Sequence, residues 1–501
     1  MEFYCNKSNL TKGQRKMLFN SLQFIIFFAA VVLLYYILPY KLRWIMLLLA
    51  SCIFYMAWRP ELILLIAFSS LVNYTAGVLI GRGMGKKALV PAVLINIGIL
   101  FVFKYLVFAS ESLARLYALL GREYPIGEFD IVLPMGISFY TFQGLGYVID
   151  VYRKEYKAEK NYFRFALFIM FFPQLVAGPI ERADRLLKQL FARHEFDTDN
   201  ISMGLKYMLM GYFKKIVIAD RAAVLVNTVY NAPEDHNGIA FAAATVFFAF
   251  QIYGDFSGYS DIAKGCAKVL GIDLMQNFDR PYFASSIKDF WKRWHISLST
   301  WFRDYVYIPL GGSRCGWLRR NFNLLVTFCV SGLWHGANWT FLLWGFLHGV
   351  YQVIENTLFR FKKWKDSTAK RLIMAATWPF RWIVTIALVL LAWIPFRANS
   401  IGDCIYIFQN LHTGFENIYD MQFMYDTLNS LGLGVFDILT VLAAIALLLL
   451  IELISLPFED INVMMKKLPF VFRFAFYYVI AAFIIAAGVF SGLGEFIYFQ
   501  F

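Results

Sequence analysis

Two histidines stand where an ionisable side chain is costly. His335 lies in Leu333-Trp334-His335-Gly336, inside an otherwise apolar stretch. At about 100° per residue, Thr327, Ser331, His335 and Asn338 fall within about 80° of one another on a helix. That is a polar stripe on a greasy segment, and such groups at membrane depth face a cavity or a partner inside a bundle. A neutral imidazole facing a cavity can act as a general base, with Ser331 or Asn338 orienting the ring. The competing reading is a structural histidine hydrogen-bonded to a neighbouring helix. His348 falls on the opposite side of the same projection and reads as structural, and His194, His236 and His412 fall in polar loops.

His295 closes the run Phe290-Trp291-Lys292-Arg293-Trp294-His295. On a continuous helix, Lys288, Lys292, His295, Ser299 and Arg303 share one face, and Phe290, Trp294, Leu298, Trp301 and Tyr305 share the other. The pattern predicts a helix lying in the membrane interface, with its aromatics in lipid and its basic face toward water or phosphate. Lys292 and Arg303 would meet either anionic head groups or a phosphate-bearing ligand at a cytoplasmic gate.

Residues 251–281 put Asp255, Ser257, Ser260 and Asp261 beside an apolar span, which suits either a membrane-to-water boundary or the polar wall of a cavity. Lys214, Lys215, Asp220 and Arg221 interrupt 204–230 and either pair internally or mark an interfacial turn. No P-loop, GxSxG, HExxH or other metal signature occurs. The six cysteines are scattered without a CxxC pair.

The elements that must position these residues follow from composition. Hydrophobic residues make up 59% of the 501 and charged residues 16%, against roughly 45–50% and 25% in soluble domains. A soluble globule could not hide this much apolar surface, so the chain is read as an all-α polytopic membrane protein, lipid-facing backbone having to satisfy its own hydrogen bonds. Stretches fit to cross a core of about 30 Å lie near 21–38, 42–58, 61–80, 88–108, 131–150, 239–258, 378–397, 435–456 and 471–490. Less clean ones occupy 162–180, 204–230, 285–310 and 321–356, giving about 11–13 membrane segments. Residues 162–180, broken by Pro173, Gly178 and Pro179, read as re-entrant. Residues 111–128 read as a surface loop with a short amphipathic helix.

The net charge of +13 resides in short loops, as the positive-inside bias dictates, and does not indicate nucleic acid. Basic loops at Lys41–Arg43, Arg82–Lys87, Arg153–Lys160, Arg182–Arg193, Arg314–Arg320 and Arg360–Arg371 are assigned to the cytoplasm. Residues 398–434 lack Lys and Arg and belong outside, and counting back from Lys466-Lys467 puts the tail 491–501 outside too. The polar extension 1–16 conflicts with this count; a start at Met17 would remove its four basic residues and leave 17–501 as one membrane domain.

The stretches FFPQLVAGPIER (171–182), QIYGDFSGYSDIAKG (251–265), NFDRPYFASSIKDFWKRWHISLSTWFRDYVYIPLGG (277–312) and SGLWHGANWTFLLWGFLHG (331–349) closely resemble the membrane-bound O-acyltransferase family, in its bacterial, alginate O-acetyltransferase-like branch. The resemblance implies a helical bundle around a transmembrane acyl tunnel, with His335 and His295 as the family's signature positions and the acyl donor entering from the cytoplasm. It implies acetyl-CoA, or another acyl-CoA, as donor substrate with no bound cofactor, and the phosphate-bearing ligand that Lys292 and Arg303 could draw would then be this donor. It also implies an extracytoplasmic, lipase-like (SGNH-type) acyltransferase partner and a polysaccharide or cell-wall glycan acceptor, with membrane lipids around a multi-pass protein of the cell membrane. The aromatic end, residues 495–501, reads either as a tail that packs into a groove or, by a further resemblance to aromatic C-termini in D-alanylation systems, as an acyl relay in which Tyr498 accepts the acyl group. The alternative class is a transporter or flippase of a lipid-linked glycan, or an export-complex scaffold; a transporter would show internal repeats with matched broken helices, and none is seen.

Overall fold

A computed structural model describes residues 17–127, 129–176, 178–358, 376–458, 460–490 and 496–497. The described chain is helical throughout, without a strand. The helices are α1 (Leu22–Ile37), α2 (Tyr40–Met56), α3 (Ile63–Gly81), α4 (Lys86–Leu100), α5 (Leu106–Leu119), α6 (Ile137–Tyr152), α7 (Tyr162–Met170), α8 (Phe172–Leu175) and α9 (Ala183–Leu190). They continue with α10 (Thr198–Tyr212), α11 (Asp220–Asn231), α12 (Gly238–Val269), α13 (Ile287–Arg293), α14 (Ile296–Phe302), α15 (Trp317–His335) and α16 (Trp339–Leu358). The last are α17 (Trp378–Arg397), α18 (Ile401–Asn410), α19 (Met421–Ser430), α20 (Val435–Ser455), α21 (Ile461–Lys466) and α22 (Phe470–Ala487).

Six helices among the described residues are long and apolar enough to cross a membrane: Pro60–Gly81, Lys86–Leu119, Gly238–Val269, Trp378–Arg397, Val435–Ser455 and Phe470–Ala487. The other expected segments are shorter, broken or more polar. One expectation is corrected here. Residues 111–119 are not loop, because a π-helical segment, Phe101–Tyr105, joins α4 to α5 and carries the helix on to Leu119.

The centre of the bundle is α12, whose apolar window is 72% buried. It lies along α10, α11 and α17. Facing glycines make the closest of these contacts possible: a Cβ on Gly211 would press on the Gly258 carbonyl, and one on Gly258 on the Gly211 carbonyl. A second π-helical segment, Phe213–Ala219, joins α10 to α11. It offsets the register so that Lys214 meets Asp261 at 2.7 Å while Lys215 meets both Asp220 and Asp255 at 2.7 Å. Of the two readings for these charges, internal pairing is the one realised. Residues 162–180 are broken as the prolines and glycine dictate, α7 stopping at Met170 and α8 lasting four residues.

Candidate active site

The two histidines meet. Their ring centres are 6.4 Å apart, and both side chains are buried, His295 at 0% and His335 at 3% exposure. Indoles and phenyl rings enclose them. His335 lies 4.9 Å from Trp344 and 5.4 Å from Phe396, and His295 lies 4.6 Å from Phe256.

His335 is the last residue of α15, and Gly336 begins the break before α16. The α15–α16 hairpin is tight because Gly332 and Gly345 face each other; a Cβ on either would run into the carbonyl of Phe341 or Phe328. Asn338 therefore leaves the predicted stripe. Its Oδ1 accepts from the Thr340 N–H at 3.1 Å and its Nδ2 donates to the Asn399 carbonyl at 3.1 Å, so it caps the next helix and does not orient the histidine. Thr327 and Ser331 keep their places below His335 on α15.

His295 corrects a larger expectation. Residues 287–302 are not one interfacial helix: α13 ends at Arg293, α14 starts at Ile296, and His295 between them is left-handed at φ 41°. A non-glycine residue there carries strain of about 1–3 kcal/mol, so surrounding bonds must impose it. Asn277 does so from outside the helices, its carbonyl accepting the Ile296 N–H at 2.9 Å and its Oδ1 accepting the Ser297 hydroxyl at 2.6 Å. Ser297 Oγ in turn accepts the Ile180 N–H at 3.0 Å, and Asn277 Nδ2 donates to Ser260 Oγ at 3.2 Å. These bonds join segments 171–182, 251–265 and 277–297. Beside them the Glu181 carboxylate accepts the Met275 N–H, and burial pushes its carboxyl up to about 7. The aromatic face expected in lipid is inside the protein: Phe290, Trp294 and Leu298 are buried to within 1%, and Trp301 Nε1 donates to the Phe142 carbonyl at 2.9 Å.

Two cavities reach this site at different levels of α15. The larger, about 480 Å³, is lined by Lys288, Lys292, Arg303 and Arg320, with Thr327 and Ser331 also in its wall, and among the described residues no carboxylate lines it. The smaller, about 60 Å³, is lined by Trp334, His335, Lys104 and residues 133–139. Lys104 is the functional candidate missed in the sequence. Its ammonium donates to the carbonyls of Trp334 at 2.7 Å and His335 at 3.0 Å, occupying the C-terminal end of α15 where a cation suits the helix dipole. The signal was a lone lysine within the apolar run FVFKYLV. His348, read from the sequence as structural, accepts at Nδ1 from Trp291 Nε1 at 3.3 Å. Tyr498 lies outside the described residues, although its neighbours Phe496 and Ile497 are buried and the Ile497 N–H donates to Asp255 Oδ2 at 2.6 Å.

Residues 159–393 match the sequence model of the family described as "MBOAT, membrane-bound O-acyltransferase family". The chain is similar to a "Probable alginate O-acetylase" of Pseudomonas aeruginosa, 39% identical over 391 residues, covering 77% of this chain and 73% of that one. It is 30% identical over 433 residues to a peptidoglycan O-acetyltransferase of Helicobacter pylori, covering 79% and 80%. A teichoic acid D-alanyltransferase of Bacillus subtilis is 29% identical over 280 residues, 53% of this chain and 69% of that one.

Proposed function

This chain belongs to the membrane-bound O-acyltransferase family, and from that premise we propose that it moves an acetyl group from a cytoplasmic acyl-CoA toward an extracytoplasmic polysaccharide or cell-wall glycan. Membership makes it a membrane-bound acyltransferase, which removes the transporter and scaffold readings as its primary activity. The donor, the direction of transfer and the glycan acceptor are the proposal. One observation carries it: two buried histidines meet, His335 lines the smaller cavity, and one turn away on α15 Ser331 lines the larger one, whose charged lining among the described residues is four cations.

The donor's phosphates suit Lys288, Lys292, Arg303 and Arg320, and its thioester would extend past Ser331 toward the histidines. His335, as neutral imidazole, accepts the proton of the acceptor hydroxyl as its oxygen forms a bond to the thioester carbon. When the tetrahedral intermediate collapses, the carbon–sulfur bond breaks and the thiolate leaves with the proton from the imidazolium. The acetyl group ends as an ester on the acceptor oxygen, and the charged carrier never crosses. Removing one cation from the large cavity takes away binding common to ground and transition states. Lys292→Ala and Arg303→Ala are thus expected to raise the KM for acetyl-CoA several-fold with kcat nearly kept; an unchanged KM in both variants would refute their role in holding the donor.

The tail supplies a reading of the first acceptor. Phe496 packs 5.6 Å from Phe256, which itself packs on His295, and this supports Tyr498 as the hydroxyl that takes the acetyl group and passes it to an SGNH-type partner outside. An aryl ester is more reactive than the alkyl ester formed on a sugar, so onward transfer runs downhill. Tyr498→Phe keeps the ring and removes only the hydroxyl. Loss of glycan acetylation at normal protein level is expected, and wild-type acetylation in that variant would reduce the tail to a packing element.

A further inference from the structure

A groove of about 740 Å³ runs along the outside of the bundle between α10 and α22, away from both cavities of the acyl-transfer site. Leu205 and Leu209 of α10 form one wall, and Phe470, Phe474, Tyr477 and Tyr478 of α22 form the other. Leu205, Phe470, Phe474 and Tyr478 are exposed. At one end the groove meets a polar recess of about 50 Å³ lined by Lys206, Lys466 and Arg473, with Asp199 as its single acid among the described residues. Among the described residues none of these three cations is in an ion pair, although ion pairs hold charges elsewhere in this half of the bundle, such as Lys264 with Asp460 at 3.6 Å. Lys206 Nζ sits 5.3 Å above the Tyr477 ring, bridging the polar recess and the apolar wall.

The two ends of the groove demand different chemistry from one occupant. α10 begins after the basic loop 182–193, and α22 begins after Lys466-Lys467, so the cationic end is the one that the loop charges assign to the cytoplasm. The apolar length then runs into the membrane along α22, a helix apolar enough to span it. A wholly apolar partner helix would bring no counter-charge to the three cations, and a free anion would leave the trough unfilled. A phosphate held by Lys206, Lys466 and Arg473 with its chains laid along Leu209, Phe474 and Tyr478 satisfies both. We propose that this groove is a binding site for an anionic glycerophospholipid of the cytoplasmic leaflet. Acyl transfer is not assumed, and the groove shares no residue with the catalytic cavities.

The test is thermal unfolding of the full chain purified in detergent, titrated with phosphatidylglycerol, with phosphatidylcholine of the same chains, or with inorganic phosphate. Phosphatidylglycerol is expected to raise Tm by a few degrees and the other two to leave it nearly unchanged. In Lys466→Gln/Arg473→Gln the lipid concentration giving half the shift should rise at least tenfold, since each cation near a head group is worth about a fivefold change in affinity. Leu205→Trp, which narrows the trough and touches no cation, should abolish the preference and carries the test if the charge variant does not fold. An equal shift with phosphatidylcholine, or a shift from phosphate alone, overturns the proposal. So does a photo-crosslinker at position 478 that captures a protein in cell membranes in place of lipid.

Discussion

His335→Ala is expected to lower acyl transfer by about 10²–10⁴-fold, the range for loss of a positioned general base, while the protein accumulates in the membrane at wild-type level. The geometry singles out this histidine over its neighbour. His335 borders the small cavity, and Ser331, one turn below it on α15, borders the large one; His295 borders neither. Under the proposed function, a hydroxyl arriving from one side and a thioester from the other would meet at His335 first. Alanine also empties space among Trp334, Trp344 and Phe396, so a fall in activity alone could reflect packing. His335→Gln, which keeps most of the side-chain volume and removes the basic nitrogen pair, is expected to match the alanine variant in activity and the wild type in Tm. The decisive readout is hydrolysis or transfer of radiolabelled acetyl-CoA by purified protein, alongside the acetyl content of surface glycan. Wild-type transfer in the glutamine variant would remove His335 from the chemistry.

The candidate site residues were more legible in the sequence than the backbone that holds them. His335, His295, Lys292 and Arg303 announce themselves because each is polar or charged among apolar neighbours, and burial or cavity lining follows from that contrast. The backbone at His295 gives no such sign. The helical period runs unbroken through Trp294 and Ile296 with neither glycine nor proline, and the break is imposed from 18 residues upstream by Asn277. A tertiary hydrogen bond of that kind overrides local propensity and has no local signature. Asn338 failed differently: Gly336 was a readable stop signal, and a stripe extended across it was bound to lose its last member. The aromatic face of 290–305 shows a third limit, since a membrane protein's interior and its lipid surface are equally apolar. Pattern alone cannot say which of the two a row of Phe and Trp will meet.

Lys215→Met should give the largest stability loss of any single change considered, about 3–5 kcal/mol, the range for removing one partner of a buried ion pair. Lys215 is 1% exposed and holds Asp220 and Asp255 at 2.7 Å each. Without the ammonium, two carboxylates face each other in a space closed to water, so each must be protonated or the π-helical turn must open. The damage does not stop there. Asp255 accepts the Ile497 N–H, and Phe496 packs at 4.6 Å on Tyr259 of the same helix, so a displaced Asp255 also releases the segment leading to Tyr498. Lys215→Met is therefore expected to lower both Tm and glycan acetylation. Adding Asp220→Asn and Asp255→Asn removes the orphaned charges while leaving an amide oxygen for the Ile497 N–H. That triple variant should recover most of the lost stability, because neutral groups of similar shape replace an unpaired buried charge. If Lys215→Met unfolds at the wild-type temperature, the triad contributes no net stability; if the triple variant is no better than the single one, the loss comes from the lysine's packing and not from uncompensated charge.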